Sequence, residues 1–151
     1  MLKQFTFLLS LLGFLTFAGQ AFATSPIYTG TFNNTAVGGY DTVSYFSDGG
    51  PVKGSKEFKT KWKGADWLFS SQENLNKFKL NPEKYSPQYG GYCAWAVAHD
   101  NYVKGDPKVW NITNGKLYLN YNQSIAQKWK PRRKELIPAA NKKYANEING
   151  N

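Results

Sequence analysis

The chain has 151 residues, with 19 lysines and arginines against 10 acidic side chains and a formal charge of +9. That length suits one domain with a modest core. A single cysteine rules out an intramolecular disulfide, so no covalent staple holds the fold.

Lys3 is followed by an apolar run from Phe5 to Ala18 and then by Ala21-Phe22-Ala23. This order of charge, apolar stretch and small residues predicts a secretory signal peptide over residues 1–23, cleaved after Ala23. The apolar run is shorter than the ~20 residues a membrane span needs. An uncleaved anchor is the competing reading. The processed chain is expected in the periplasm or outside the cell, and not as an integral membrane protein. A basic chain in that location is expected to carry its charge as solvated faces, with no nucleic-acid partner.

Residues 24–35 read as an extended arm and residues 36–145 as the domain. Thr42 to Phe46 is β-branched and aromatic, as in a short strand, with a helix start at Asp41 as the alternative. Phe58, Thr60 and Trp62 alternate with Lys59, Lys61 and Lys63, which gives a strand with one cationic face. The turn Lys63-Gly64-Ala65-Asp66 then leads into Trp67-Leu68-Phe69 and closes a hairpin. Ser70 or Ser71 is positioned to cap a helix through Lys79, stopped by Asn81-Pro82. Pro82 to Tyr85 fits one short turn. Tyr92 to Ala98 reads as a buried helix. Asn114-Gly115 between two alternating runs predicts a second hairpin. Asn122 to Trp129 reads as a helix interrupted by Pro131. A second helix follows from Arg132 to Ala145, kinked at Pro138, with residues 146–151 frayed.

The chemistry-bearing residues gather between Asn81 and His99, a stretch that holds the only cysteine and the only histidine. A helix beginning near Gly91 or Tyr92 would put Cys93 in its first turn, where free N–H groups favour a thiolate. The opposite reading is a buried cysteine serving as a small hydrophobe. His99 is a further candidate ligand, but six residues along one helix set it about 120° off the face of Cys93. A surface or helix-end position is therefore expected for it. Asp41 could orient the thiol or ligate a metal; a turn or helix cap is its other role. Tyr40, Tyr45, Tyr89, Gly90, Gly91 and Tyr92 are candidates for lining a ligand pocket. No Cys-x-x-Cys pair, phosphate loop or Ser-His-Asp set is present.

The stretch Phe69-Ser70-Ser71-Gln72-Glu73-Asn74, with Phe78 and Asn81-Pro82-Glu83-Lys84-Tyr85, resembles the YHS family, related to metal-binding TRASH modules. A typical member carries cysteines where Ser70 and Asn74 stand here, so the family's metal activity does not transfer to those two positions. Gly39 to Phe46, Gly54 to Phe58, Pro82 to Ala94 and Gly115 to Tyr121 are similar to an exported bacterial subgroup. Some of its members carry selenocysteine at the position of Cys93. The resemblance implies thiol or selenol chemistry there, as redox catalysis or soft-metal binding.

The expected fold is α+β: a single small domain of antiparallel β-hairpins packed with three to four helices. The leading expectation is a periplasmic binding protein that handles a metal ion, copper or zinc, or a small ligand around Cys93. A single-cysteine redox protein and a structural module with an inert buried Cys93 are the alternatives.

Overall fold

The computed structural model describes residues 24–47 and 49–150; the predicted signal segment lies outside them. Three antiparallel strand pairs and five helices make an α+β domain. The strands are β1 (Tyr40–Asp41), β2 (Val52–Lys53), β3 (Ser55–Trp62), β4 (Ala65–Phe69), β5 (Asp106–Thr113) and β6 (Lys116–Asn120). They pair β1 with β2, β3 with β4 and β5 with β6. The helices are α1 (Ser44–Ser47), α2 (Gln72–Leu80), α3 (Pro82–Tyr85), α4 (Ala94–Ala98) and α5 (Gln123–Asn149). None of the helices among the described residues is long and apolar enough to cross a membrane.

Both predicted hairpins form, each through a two-residue turn with both residues at positive φ. These are Lys63-Gly64 and Asn114-Gly115. That backbone matches the right-handed twist of the flanking strands. Ser71 caps α2 by accepting the Asn74 N–H at 3.1 Å.

Strand β6 is the shared wall of two apolar clusters. Leu117 and Leu119 pack into the first, with Trp67, Phe69, Phe78 and Val43. Tyr118, pointing the other way as strand alternation requires, packs into the second with Val97, Trp129 and Leu136. The second cluster joins α4 to α5.

Three expected elements differ. Thr42 to Phe46 is not a strand: β1 ends at Asp41, and the chain turns into α1. The cause is the Asp41 side chain, which accepts N–H bonds from Val43 and Ser44 and so ends the ladder. Pro131 and Pro138 do not divide the C-terminal segment; both lie inside the continuous α5. The buried stripe Ala126, Trp129, Leu136 and Ala140 holds the helix to the domain. The residues four positions before each proline, Gln127 and Lys134, are exposed, so the carbonyls released there sit at the wet face. Where a frayed end was expected, α5 runs through Asn149 and is closed by Gly150 in the left-handed conformation.

The arm lies along the domain. Ile27 is buried in the first cluster, the Tyr28 N–H donates to Gly90 O at 2.9 Å, and the Tyr144 hydroxyl donates to Pro26 O. Gly90, at φ +61, is where the arm crosses; a Cβ there would meet Pro26 O at 1.9 Å. Gly90→Ala should therefore destabilise by more than the roughly 1–2 kcal/mol that a left-handed non-glycine residue costs. Gly115→Ala, at φ +71 in open space, supplies the backbone-only reference. Urea unfolding of the two variants measures the difference, and equal losses would show that the arm is not held against Gly90.

Candidate functional site

Asp41 is completely buried and its carboxylate accepts five hydrogen bonds. Oδ1 takes the N–H groups of Val43 at 2.8 Å and Ser44 at 3.3 Å. Oδ2 takes the Ser70 N–H at 2.8 Å, the Ser70 hydroxyl at 2.6 Å and the Asn74 amide at 2.8 Å. A buried charge is tolerated only when it is satisfied in this way. The carboxylate ties the start of α1 to the end of β4 and the first turn of α2. Asp41 is therefore the hub of a donor set, and Cys93 bonds elsewhere.

Cys93 is 1% exposed and occupies the N-cap position of α4, not its first turn. The helix begins one residue later, because Cys93 is held in extended backbone by its N–H bond to Val103 O at 2.9 Å. Its Sγ accepts the Tyr121 N–H at 3.3 Å, and the thiol donates towards Asn120 Oδ1 at 3.9 Å. Backbone N–H groups of Ala96, Tyr121 and Trp95 favour the thiolate, but loss of solvent outweighs them and pushes the thiol pKa up. Burial thus opposes the activated thiolate that a first-turn position would have favoured.

Cys93 lines a cavity of about 270 Å3 with Trp95, Ala96, His99, Asn101, Val103, Tyr121 and Ile125. His99 is the C-cap of α4 and is exposed, as expected of a helix-end histidine. Its ring stacks on Trp95 with centroids 4.6 Å apart, and Nδ1 lies 2.7 Å from Trp95 O. A carbonyl only accepts, so Nδ1 carries a proton and the neutral ring keeps its lone pair on Nε2. The spacing argument set the two residues apart on one straight helix. In the fold they are the two caps of a five-residue helix, and both reach one cavity wall.

The remaining candidates are dispersed. Tyr89 and Gly90 line a different cavity of about 300 Å3. Gly91, Tyr92, Tyr40 and Tyr45 do not line it. Tyr92 packs edge-on against Tyr28 and Tyr102, and Tyr40 lies under the Lys53 ammonium at 4.2 Å. The Tyr45 hydroxyl donates to Pro107 O at 2.7 Å, and burial raises its pKa. Among the described residues, neither this cavity nor the Cys93 cavity gathers these six residues.

The family model described as the YHS domain matches residues 43–89. That segment, about a third of the chain, is similar to the YHS domain. No curated protein and no solved structure matched the chain. The YHS match points towards a metal-related role, and the positions of the family's usual cysteine ligands can be tested directly. Ser70 and Asn74 do come together, 3.4 Å apart, but both give their protons to Asp41 Oδ2. A cation there would face hydrogen-bond donors instead of lone pairs, so this centre does not fit a metal. Among the described residues, no three His, Cys, Asp or Glu side chains are grouped as ligands. Within the matched segment, Ser70 and Asn74 are donors to a carboxylate hub.

The sequence argument missed Asn120, the buried amide that accepts from both the Cys93 thiol and the Trp95 N–H. An asparagine ending an otherwise apolar alternating strand was the available signal. It also missed the pairing of Asp41 with Ser70 and Asn74, which are 29 and 33 residues away.

Two outcomes follow. Asp41→Asn turns one acceptor into a donor amid donors and should cost about 3 kcal/mol or more, read by urea unfolding. A loss within about 0.5 kcal/mol, typical of surface changes, would contradict the hub. For Cys93, the folded pKa lies above the unfolded one. The thiol's contribution is therefore fully present below the unfolded value and is lost as pH rises through the folded value. The stability gap between wild type and Cys93→Ala should narrow from pH 7 to pH 10, and native-state alkylation at pH 7 should be slower than for free cysteine. A constant gap with fast alkylation would overturn this.

Proposed function

We propose that this YHS-domain chain is an exported binding protein that takes a thiophilic metal ion at the Cys93 cavity. One observation carries the reading: the only thiol of the chain and its only imidazole line the same cavity of about 270 Å3. Export rests on Lys3, the apolar run and the Ala21-Phe22-Ala23 end. The donor pair favours copper(I) over zinc. A thiolate with one imidazole suits a soft ion content with few ligands, whereas zinc sites ordinarily take four. Ala96, Val103 and Ile125 make part of the remaining wall apolar, beside Asn101 and Tyr121. Binding must displace the thiol proton, so affinity rises with pH.

The near-complete burial of Cys93 favours a second reading, an inert core thiol. The same burial weighs against single-cysteine redox catalysis, which needs an accessible thiolate.

Anaerobic titration with copper(I) against a chromophoric competitor separates the first two. The metal reading expects one equivalent bound by the processed chain. Cys93→Ser should abolish it, and His99→Ala should weaken it by about tenfold, the loss of one good ligand interaction. Unchanged stoichiometry and affinity in Cys93→Ser would sink the metal site and leave the inert thiol.

A further inference from the structure

The cavity of about 300 Å3 shares no lining residue with the Cys93 cavity. Five separate parts of the chain converge on it. They are Ile27 of the arm, Trp62-Lys63 at the β3–β4 turn, α3 with the Ser86–Gly90 segment, Lys116 at the start of β6, and Asn141 with Tyr144 on α5. Its polar groups are poorly occupied by the protein. Ser86 is only 5% exposed, yet its hydroxyl has no hydrogen-bond partner among the described residues. The Gln88 amide, half-buried on the same segment, has none either. The Tyr89 hydroxyl donates to Asn141 Oδ1 at 2.8 Å, which leaves the Asn141 NH2 group free to donate.

The charges are unequal. Lys63 sits 3.0 Å from Glu83 and 4.4 Å from the Trp62 ring centroid, so its charge is largely answered. Lys116 enters no ion pair among the described residues. The pocket therefore offers one uncommitted cation, unused hydroxyl and amide groups, and the rings of Trp62, Tyr89 and Tyr144. Tyr89 is fixed there at φ +58, a conformation that non-glycine residues rarely hold and that the surrounding contacts must enforce.

We propose that this cavity binds a small polyhydroxylated monoanion of monosaccharide size, an acidic sugar. The carboxylate pairs with Lys116, the hydroxyls meet Ser86, Gln88 and Asn141, and a ring face stacks on an aromatic wall. Apolar ligands would leave those polar groups unpaired, which is costly in a partly desolvated site. Polyphosphates are disfavoured by Glu83 on the lining and by the cavity volume, at the lower end of the ~300–1,000 Å3 usual for ligand pockets.

The test is NMR titration of the processed chain with D-glucuronate, with D-glucose and acetate as separate arms. Saturable shifts at the Trp62 indole and the Ser86–Gly90 amides are expected with glucuronate, with glucose and acetate each at least tenfold weaker. Lys116→Gln, an exposed change that leaves folding intact, should weaken glucuronate by about tenfold, the loss of one charged hydrogen bond. Gln88→Ala should weaken glucuronate and glucose alike. Cys93→Ser should bind glucuronate as wild type does, so failure here is distinct from failure of the metal site. Absence of saturable shifts, an unchanged Lys116→Gln, or acetate binding as well as glucuronate would overturn the proposal.

Discussion

A fully buried carboxylate is the constraint around which the first half of the domain is arranged. Asp41 must keep every acceptor position supplied, and its five donors come from α1, from the end of β4 and from α2. None of those elements can shift without unpairing a charge in a dry interior. The same group ends β1 and starts α1, so one side chain sets both local conformation and tertiary docking. The YHS pattern normally places metal-binding cysteines where Ser70 and Asn74 stand. Here the cross-link between β4 and α2 is made by hydrogen bonds to an internal anion.

The second half depends on β6. Its alternating side chains face two clusters, and its last residue, Asn120, receives the thiol of Cys93 and the Trp95 N–H in the first turn of the short helix α4. Cys93 is thereby fixed by three groups of protein origin: Val103 O, the Tyr121 N–H and Asn120 Oδ1. These bonds aim the sulfur, while burial keeps it protonated. Such a thiol is poorly suited to attack as a free thiolate. The two cavities accordingly differ in chemistry. One holds a thiol and an imidazole beside a largely apolar lining; the other holds polar groups, an ammonium without an ion pair among the described residues, and aromatic faces.

Local signals in the sequence gave much of the secondary structure. Asn114-Gly115 and Lys63-Gly64 specify hairpins because few residues adopt positive φ cheaply, and Ser71 specifies a helix start because its oxygen replaces a missing carbonyl partner. Where local signals failed, a distant partner had won. Thr42 to Phe46 looks like a strand by propensity, but the Asp41 cap turns it into α1. Pro131 and Pro138 look like breaks, but the buried stripe of α5 outweighs two lost hydrogen bonds at exposed turns. Gly90 was a candidate for lining a pocket; what requires a glycine there is the N-terminal arm, whose Pro26 carbonyl crosses against it.

The sequence by itself determined the α+β class, both hairpins, a helix start at Ser70 or Ser71 and the YHS resemblance. These rest on turn chemistry, periodicity and motif spacing, which act over a few residues. Only the tertiary structure decided that Asp41 serves Ser70 and Asn74, that Cys93 is buried and protonated, and that it shares a cavity wall with His99. It also placed Tyr89 on a cavity that Tyr40, Tyr45 and Tyr92 do not line. These facts depend on which side chains meet after long loops close and on how much water is excluded when they do. Neither quantity is written in the local pattern of residues.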